Sequence, residues 1–297
     1  MRYINLVNPS DSSGLSYTLS EFPDGQQQIT LDPTYLGTEG VYIISRLNNF
    51  TDLEKIICAN QALQQSNVKT SLIAPYFLGS RSDRQFTKWS NNYLRDVICP
   101  IINNQNFESV QVLDPHSDVL EACLKNYIKN SNLDLVKFAL TKIDNKDGAK
   151  DRICLVSPDG GALKKIYDVA EHFGIPKIIT AMKHRDITTG KITHTEVPTL
   201  DQHNDIKYVI VDDICDGGRT FVELAKTIHI SRPSAEIYLV VTHGIFSQGI
   251  APLAEHFEAI FCTNSYKDIV NSSEDTDIER EAKKKVFQYN IFPNNDN

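Results

Sequence analysis

Tyr208-Val209-Ile210-Val211-Asp212-Asp213-Ile214-Cys215-Asp216-Gly217-Gly218-Arg219-Thr220-Phe221-Val222-Glu223-Leu224-Ala225-Lys226 is an apolar run that stops at two aspartates, passes through paired glycines and enters a helix-period segment. The pattern predicts a buried strand, a tight loop and a helix start. Paired glycines let the backbone approach an anion closely. The amides at a helix N-terminus then face that anion with the favourable end of the macrodipole. The carboxylates of Asp212 and Asp213 cannot favour a phosphate themselves, so sugar hydroxyls or a Mg²⁺ ion are their expected partners. A ribose phosphate satisfies both halves of the motif.

Outward from this stretch, apolar runs at 40–44, 70–74, 110–113, 153–156, 177–180 and 237–241 read as further strands. Helix-period segments lie between them at Asp52–Gln65, Asp118–Asn130, Gly161–Phe173 and Arg219–Ile228. Strands alternating with crossover helices predict an α/β fold with mainly parallel sheets. Ser16–Leu19 and Gln27–Leu31 flank Pro23-Asp24-Gly25 and predict an N-terminal hairpin. Val112-Leu113-Asp114-Pro115-His116 faintly echoes Val209-Ile210-Val211-Asp212-Asp213, as two related halves would. The polar stretch 130–150 reads as a junction or surface excursion, and the segment 287–292 could add a strand or fray.

At 297 residues and 41% hydrophobic content, the chain is long enough for two domains at the usual size of about 150 residues. A net charge of −8 argues against nucleic acid or an anionic membrane as partner, and no apolar run has the length of a membrane span. Met1-Arg2 leads into Tyr3–Val7 with no signal-peptide pattern, so a cytoplasmic protein is expected. The six cysteines (Cys58, Cys99, Cys123, Cys154, Cys215, Cys262) form no Cys-x-x-Cys pair and read as free thiols, mostly buried.

With these motifs in order, the chain resembles the ribose-phosphate pyrophosphokinase family, of phosphoribosyltransferase-type fold, over most of its length. The resemblance implies two related doubly wound domains. Residues 1–133 would bind ATP, with 284–297 able to complete them, and 134–283 would bind the ribose phosphate. Phe22-Pro23-Asp24-Gly25-Gln26 is similar to the family's adenine-binding hairpin, which implies base contacts from Phe22, Asp24 and Gln26. Pro75–Arg84 is similar to the segment whose Arg81, Asp83 and Arg84 would hold ATP, and guanidinium groups suit phosphate oxygens. Asp114-Pro115-His116 resembles the family's Asp-x-His, placing His116 beside Mg-ATP, and Ser157-Pro158-Asp159-Gly160-Gly161 resembles the segment of a Mg²⁺-linked aspartate. Lys183-His184-Arg185-Asp186 with Thr189-Gly190-Lys191 matches the mobile segment in which Lys183 and Arg185 would close over the transferring phosphate. The diol would fall to Asp212 and Asp213, and the 5-substituent to Asp216, Gly217, Gly218, Arg219 and Thr220. Thr242–Ser247 and Cys262–Ser265 resemble the last two family strands and serve as fold markers.

The activity implied is Mg²⁺-dependent transfer of the β,γ-diphosphate of ATP to the C1 hydroxyl of ribose 5-phosphate, in a homo-oligomer that is a dimer or a hexamer. The chain also departs from the family. Members carry Asp-Thr-Gly-Gly-Thr in the phosphate loop, whereas this chain has Asp216-Gly217-Gly218-Arg219-Thr220; one hydroxyl is gone, and the arriving Arg219 either clamps a terminal phosphate or meets a longer 5-substituent such as that of ADP-ribose. Gln26 replaces an acidic residue, Ser82 replaces a glutamine, and the segment Gln85–Val97 lacks the family's regulatory sequence. A phosphoribosyltransferase would need neither the hairpin nor a second α/β half, and a silent regulatory subunit would have lost Lys183, Arg185, His116 or Asp159.

Overall fold

The computed structural model describes residues 2–32, 39–185, 192–198, 200 and 205–293. They form two compact units, Met1–Ser131 with Asn290–Asn297, and Asn132–Tyr289.

The first unit contains β1 (Tyr3–Asn5), β2 (Tyr17–Glu21), β3 (Gln27–Leu31), β4 (Val41–Ile44), α1 (Phe50–Gln65), β5 (Thr70–Ile73), α2 (Cys99–Asn103), β6 (Val110–Leu113), α3 (Val119–Cys123) and β7 (Tyr127–Asn130). Five strands form a parallel sheet in the order β1-β4-β5-β6-β7, while β2 and β3 pair as the expected antiparallel hairpin. The Asn49 side chain accepts from the Asp52 amide at 2.9 Å and so caps α1, whose Leu53, Ile56, Ala59 and Leu63 are buried.

The helix expected over Asp118–Asn130 is a correction. α3 stops after five residues, and the chain turns through Asn126 at φ 53° into edge strand β7. The Val110 amide donates to the Asn126 carbonyl at 2.9 Å, and the β6–β7 ladder continues to Leu113↔Asn130. Edge pairing overrides the local helical pattern.

The second unit contains α4 (Leu133–Ile143), α5 (Ala149–Arg152), β8 (Ile153–Ser157), α6 (Leu163–Phe173), β9 (Lys177–Thr180), β10 (Met182–Arg185), β11 (Ile192–Glu196), β12 (Lys207–Cys215), α7 (Arg219–Ser231), β13 (Glu236–Gly244), α8 (Ala251–Ala254), β14 (Ala259–Thr263), α9 (Asp277–Lys283) and β15 (Val286–Tyr289). Its parallel sheet has the order β15-β14-β13-β12-β8-β9. β8 and β14 are buried at every position, as strands covered on both faces must be. Alternate residues of β12 enter opposite cores. Tyr208 and Ile210 pack with Phe221, Leu224 and Ile228 of α7, whereas Val209 and Val211 pack with Val136 of α4 and Ile166 of α6. The polar stretch 130–150 therefore contains a core helix, α4, carried by Leu135, Val136, Ala139 and Ile143. β15 adds a strand beside β14 in this sheet, so of the tail only the residues from Asn290 onward group with the first unit.

Candidate functional site

The order of the second sheet creates its crevice. From β8 the chain moves out to β9 at one edge, and after returning at β12 it moves out through β13, β14 and β15 to the other. The strand order reverses between β8 and β12, and open α/β sheets bind ligands outside the carboxyl ends of strands at such a reversal. In the first unit the sheet order follows the chain order.

Two acidic segments leave the reversal point. β8 runs into Ser157-Pro158-Asp159, where the Asp159 Oδ1 accepts from the amides of Gly161 at 2.9 Å and Ala162 at 3.2 Å. This turn fixes the entry to α6, and the Ser157 hydroxyl holds it by donating to the Asp159 carbonyl at 2.7 Å. On β12, the Asp213 amide donates to the Asp212 Oδ1 at 2.9 Å. The buried Asp213 carboxylate lies 3.7 Å from the Lys165 ammonium, which α6 supplies. Burial first, then the adjacent Asp213 and the charge of Asp159, push the Asp212 carboxyl well above its usual range. A crevice so rich in carboxylate suits hydroxyl donors or a divalent cation.

Past Cys215 the backbone turns through Asp216 and Gly217 to Gly218, at φ 76°. That left-handed conformation and the neighbouring Leu253, whose Cδ2 would lie 3.0 Å from an added Cβ, both require glycine. The first intrahelical donor of α7 is Phe221, to the Gly218 carbonyl at 3.0 Å. The amides of Gly218, Arg219 and Thr220 thus head the helix, where anions bind. Arg219 is 85% exposed and its Nε bonds Glu223 Oε1 at 2.7 Å, one turn along α7.

A second loop backs the first. The amides of Ile245 and Phe246 donate to the Cys215 carbonyl at 2.9 and 3.1 Å, and that of Ser247 donates to the Asp216 carbonyl at 3.1 Å. Phe246 is buried and sits at φ 48°. The fold markers at 242–247 and 262–265 meet in a buried network in which Thr263 Oγ1 donates to the Thr242 carbonyl at 2.6 Å and His243 Nδ1 lies 2.8 Å from Ser265 Oγ.

In the first unit, Asp83 and the turn after β6 are brought together. Ser117 Oγ donates to Asp83 Oδ2 at 2.6 Å, next to the exposed His116. Asp114 turns the chain at φ 40°. Arg81 and Arg84 are exposed, and the Arg84 guanidinium lies 5.6 Å from the Phe86 ring centroid. Phe22, Asp24 and Gln26 form the exposed hairpin tip, in which the Phe22 amide donates to the Gln26 carbonyl at 2.9 Å and the Gln26 amide to Asp24 Oδ1 at 3.3 Å. The hairpin is tied to α1, where Glu54 Oε1 accepts from the Gln27 amide at 3.1 Å. The hairpin tip is thus anchored to α1.

Lys183 and Arg185 lie on β10, paired antiparallel with β11 in the register Lys183↔Thr195 and Arg185↔Ile192. Their side chains, and Asp186, Thr189, Gly190 and Lys191, fall outside the described residues. All six cysteines are free, four of them buried, and burial pushes the Cys215 thiol up, away from reactivity. Among the described residues no helix is long and apolar enough to cross a membrane.

Three or more His, Cys, Asp or Glu side chains arranged around a single cation are absent among the described residues. The Asp159 carboxylate is of the hard oxygen type that Mg²⁺ takes, an ion that needs only one or two protein ligands and completes its shell with phosphate oxygens and water. Lys165, on the helix after β8, was not signalled by any motif. A lysine on an amphipathic helix reads as solvated until the sheet brings Asp213 to it.

No protein-family model matches the chain. A Streptococcus pneumoniae protein provisionally named ribose-phosphate pyrophosphokinase 2 is 25% identical over 240 residues, 80% of this chain and 72% of that one. The ribose-phosphate pyrophosphokinase of Thermoplasma volcanium is 24% identical over 243 residues, covering 77% of this chain and 75% of that one. The crystal structure of phosphoribosylpyrophosphate synthetase from Mycobacterium smegmatis matches with a TM-score of 0.77 at 15% identity, over 98% of this chain and 95% of that chain. The last comparison establishes the α/β fold.

Proposed function

We propose that this chain, a divergent relative of the ribose-phosphate pyrophosphokinases, is a Mg²⁺-dependent diphosphokinase that moves the β,γ-diphosphate of ATP to the C1 hydroxyl of ribose 5-phosphate, releasing AMP. The observation that carries the reading is the carboxylate pair Asp212 and Asp213 beside the glycine loop at the strand-order reversal, with a left-handed Gly218 heading α7. In the reaction the C1 oxygen bonds to the β-phosphorus as the bond to the bridging oxygen of AMP breaks, and the C1 hydroxyl gives up its proton. Such a transfer needs in-line positioning and neutralised charge more than covalent catalysis. Asp212 and Asp213 accept from the ribose hydroxyls, and the amides of Gly218, Arg219 and Thr220 hold the 5-phosphate. Lys183 and Arg185 close over the transferring group. Arg81, Asp83, Arg84 and His116 hold ATP, whose base meets Phe22, Asp24 and Gln26. Asp159 would offer its carboxylate and His116 its imidazole to Mg²⁺, which when bound would neutralise phosphate charge.

A second reading keeps the chemistry and enlarges the acceptor to ADP-ribose. It draws on Arg219, an exposed cation at the head of α7, paired with Glu223, that could meet a 5-substituent longer than one phosphate. The two are separated by incubating the protein with Mg-ATP and either sugar, measuring AMP and the mass of the product. Ribose 5-phosphate is expected to turn over, and Asp212→Asn to lower kcat/KM by about 10²-fold or more. Turnover of ADP-ribose alone would move the assignment to the larger acceptor, and AMP release from neither would sink the diphosphokinase reading.

A further inference from the structure

α9 holds the phosphate loop from a distance. Thr276 caps α9 by accepting from the Glu279 amide at 3.2 Å. The Glu279 carboxylate spans two backbone donors, with Oε1 accepting from Ile250 at 2.8 Å and Oε2 from Ala251 at 3.0 Å. Gly249, at φ 77°, lets the chain pass, since an added Cβ would lie 3.1 Å from Glu279 Oε2. Ile250 and Ala251 open α8, whose Leu253 is buried and packs against Gly218. The segment before Gly249 is bonded to the carbonyls of Cys215 and Asp216. The 245–253 segment that backs Asp216, Gly217 and Gly218 is therefore held at its start by the loop carbonyls and in its later half by the Glu279 carboxylate.

We infer that Glu279 is a positioning residue for the acceptor site. Through Ile250, Ala251 and Leu253 it holds Gly218 in its left-handed conformation and aims the helix-opening amides at the 5-substituent. The inference rests on the reading of Asp212–Thr220 as the acceptor seat. A carboxylate accepting two backbone amides is a strong pair of charge-assisted bonds, and its loss leaves both donors without a fixed acceptor. Glu279 acts through the backbone of Ile250 and Ala251 and not on substrate directly. Its effect falls on the acceptor and spares ATP, whose proposed protein contacts other than Asp159, Lys183 and Arg185 lie in the first unit.

Two measurements on full-length Glu279→Ala and Glu279→Gln test it. In AMP-release kinetics, Glu279→Ala should raise KM for ribose 5-phosphate roughly tenfold while kcat and KM for ATP stay within about twofold. Glu279→Gln should recover most of the loss, since its carbonyl oxygen still accepts one amide. In hydrogen exchange, Glu279→Ala should open the peptide spanning 213–222 roughly tenfold faster, with first-unit peptides unchanged. An unchanged acceptor KM, or parallel rises in both KM values with a falling Tm, would overturn the inference. If the wild-type protein released no AMP, the diphosphokinase reading would fall by itself and the exchange result would decide: faster exchange at 213–222 upholds the buttress, unchanged exchange refutes it.

Discussion

Burial, the neighbouring Asp213 and the charge of Asp159 push the Asp212 carboxyl well above its usual range, and this has a sign for stability. An acid whose folded pKa exceeds its unfolded value of about 3.9 destabilises the fold at neutral pH. The cost is absent below that unfolded value and grows as pH rises towards the folded one. Asp212→Asn keeps an oxygen for the Asp213 amide and removes the charge. It should raise stability by about 0.5–2 kcal/mol at pH 7, with the gain vanishing in melts below roughly pH 4, while turnover is lost. A gain that persisted in acid would show that the carboxylate is not strained. Asp212 and Asp213 were legible because an apolar strand that ends in acids is a local signal. Lys165 and Glu279 were not, because each acquires its role from a partner that only the folded sheet brings near.

The strand–loop–helix element from β12 to α7 contains two glycines that tolerate change differently. Gly218→Ala places a Cβ in the left-handed region, a cost of about 1–2 kcal/mol, and presses on the buried Leu253. Gly217→Ala meets only the exposed Gln248 and Ser247 side chains, at 3.3 and 3.8 Å, which can move aside. Urea titrations should find Gly218→Ala the more destabilised by about 1 kcal/mol or more; equal losses would contradict the loop geometry. Elsewhere the legibility of elements followed their burial. Seven apolar runs read as strands are strands, because a strand covered on both faces announces itself as a continuous run. β7 was misread as helix because an edge strand with a polar face lacks that run, and α4 was overlooked because Asn, Asp and Lys surround its four buried side chains.

Each unit of the molecule has its own apolar interior, one in the first and two in the second, on either face of its sheet. Calorimetry should then require more than one transition, since separate cores rarely melt as a single cooperative body. Phe292, from the tail, is buried in the first unit under Arg46, whose guanidinium lies 5.5 Å from its ring centroid, and the Pro293 carbonyl accepts from Asn5 Nδ2 at 3.3 Å. Phe292→Ala should cost about 3 kcal/mol and lower one transition only; a uniform shift would contradict separate cores. The duality was legible in the repeated strand–helix alternation, and the family resemblance implied a tail, 284–297, able to complete the first half; where that return begins was not legible, because β15 pairs with β14 and only the residues from Asn290 onward group with the first unit. That return sets an order on biosynthesis. β1 to β7 emerge from the ribosome first, yet their last contacts arrive only after all of β8 to β15 has been translated. A nascent chain halted near residue 289 would hold the later-made unit in full while the earlier-made one still lacked its seal.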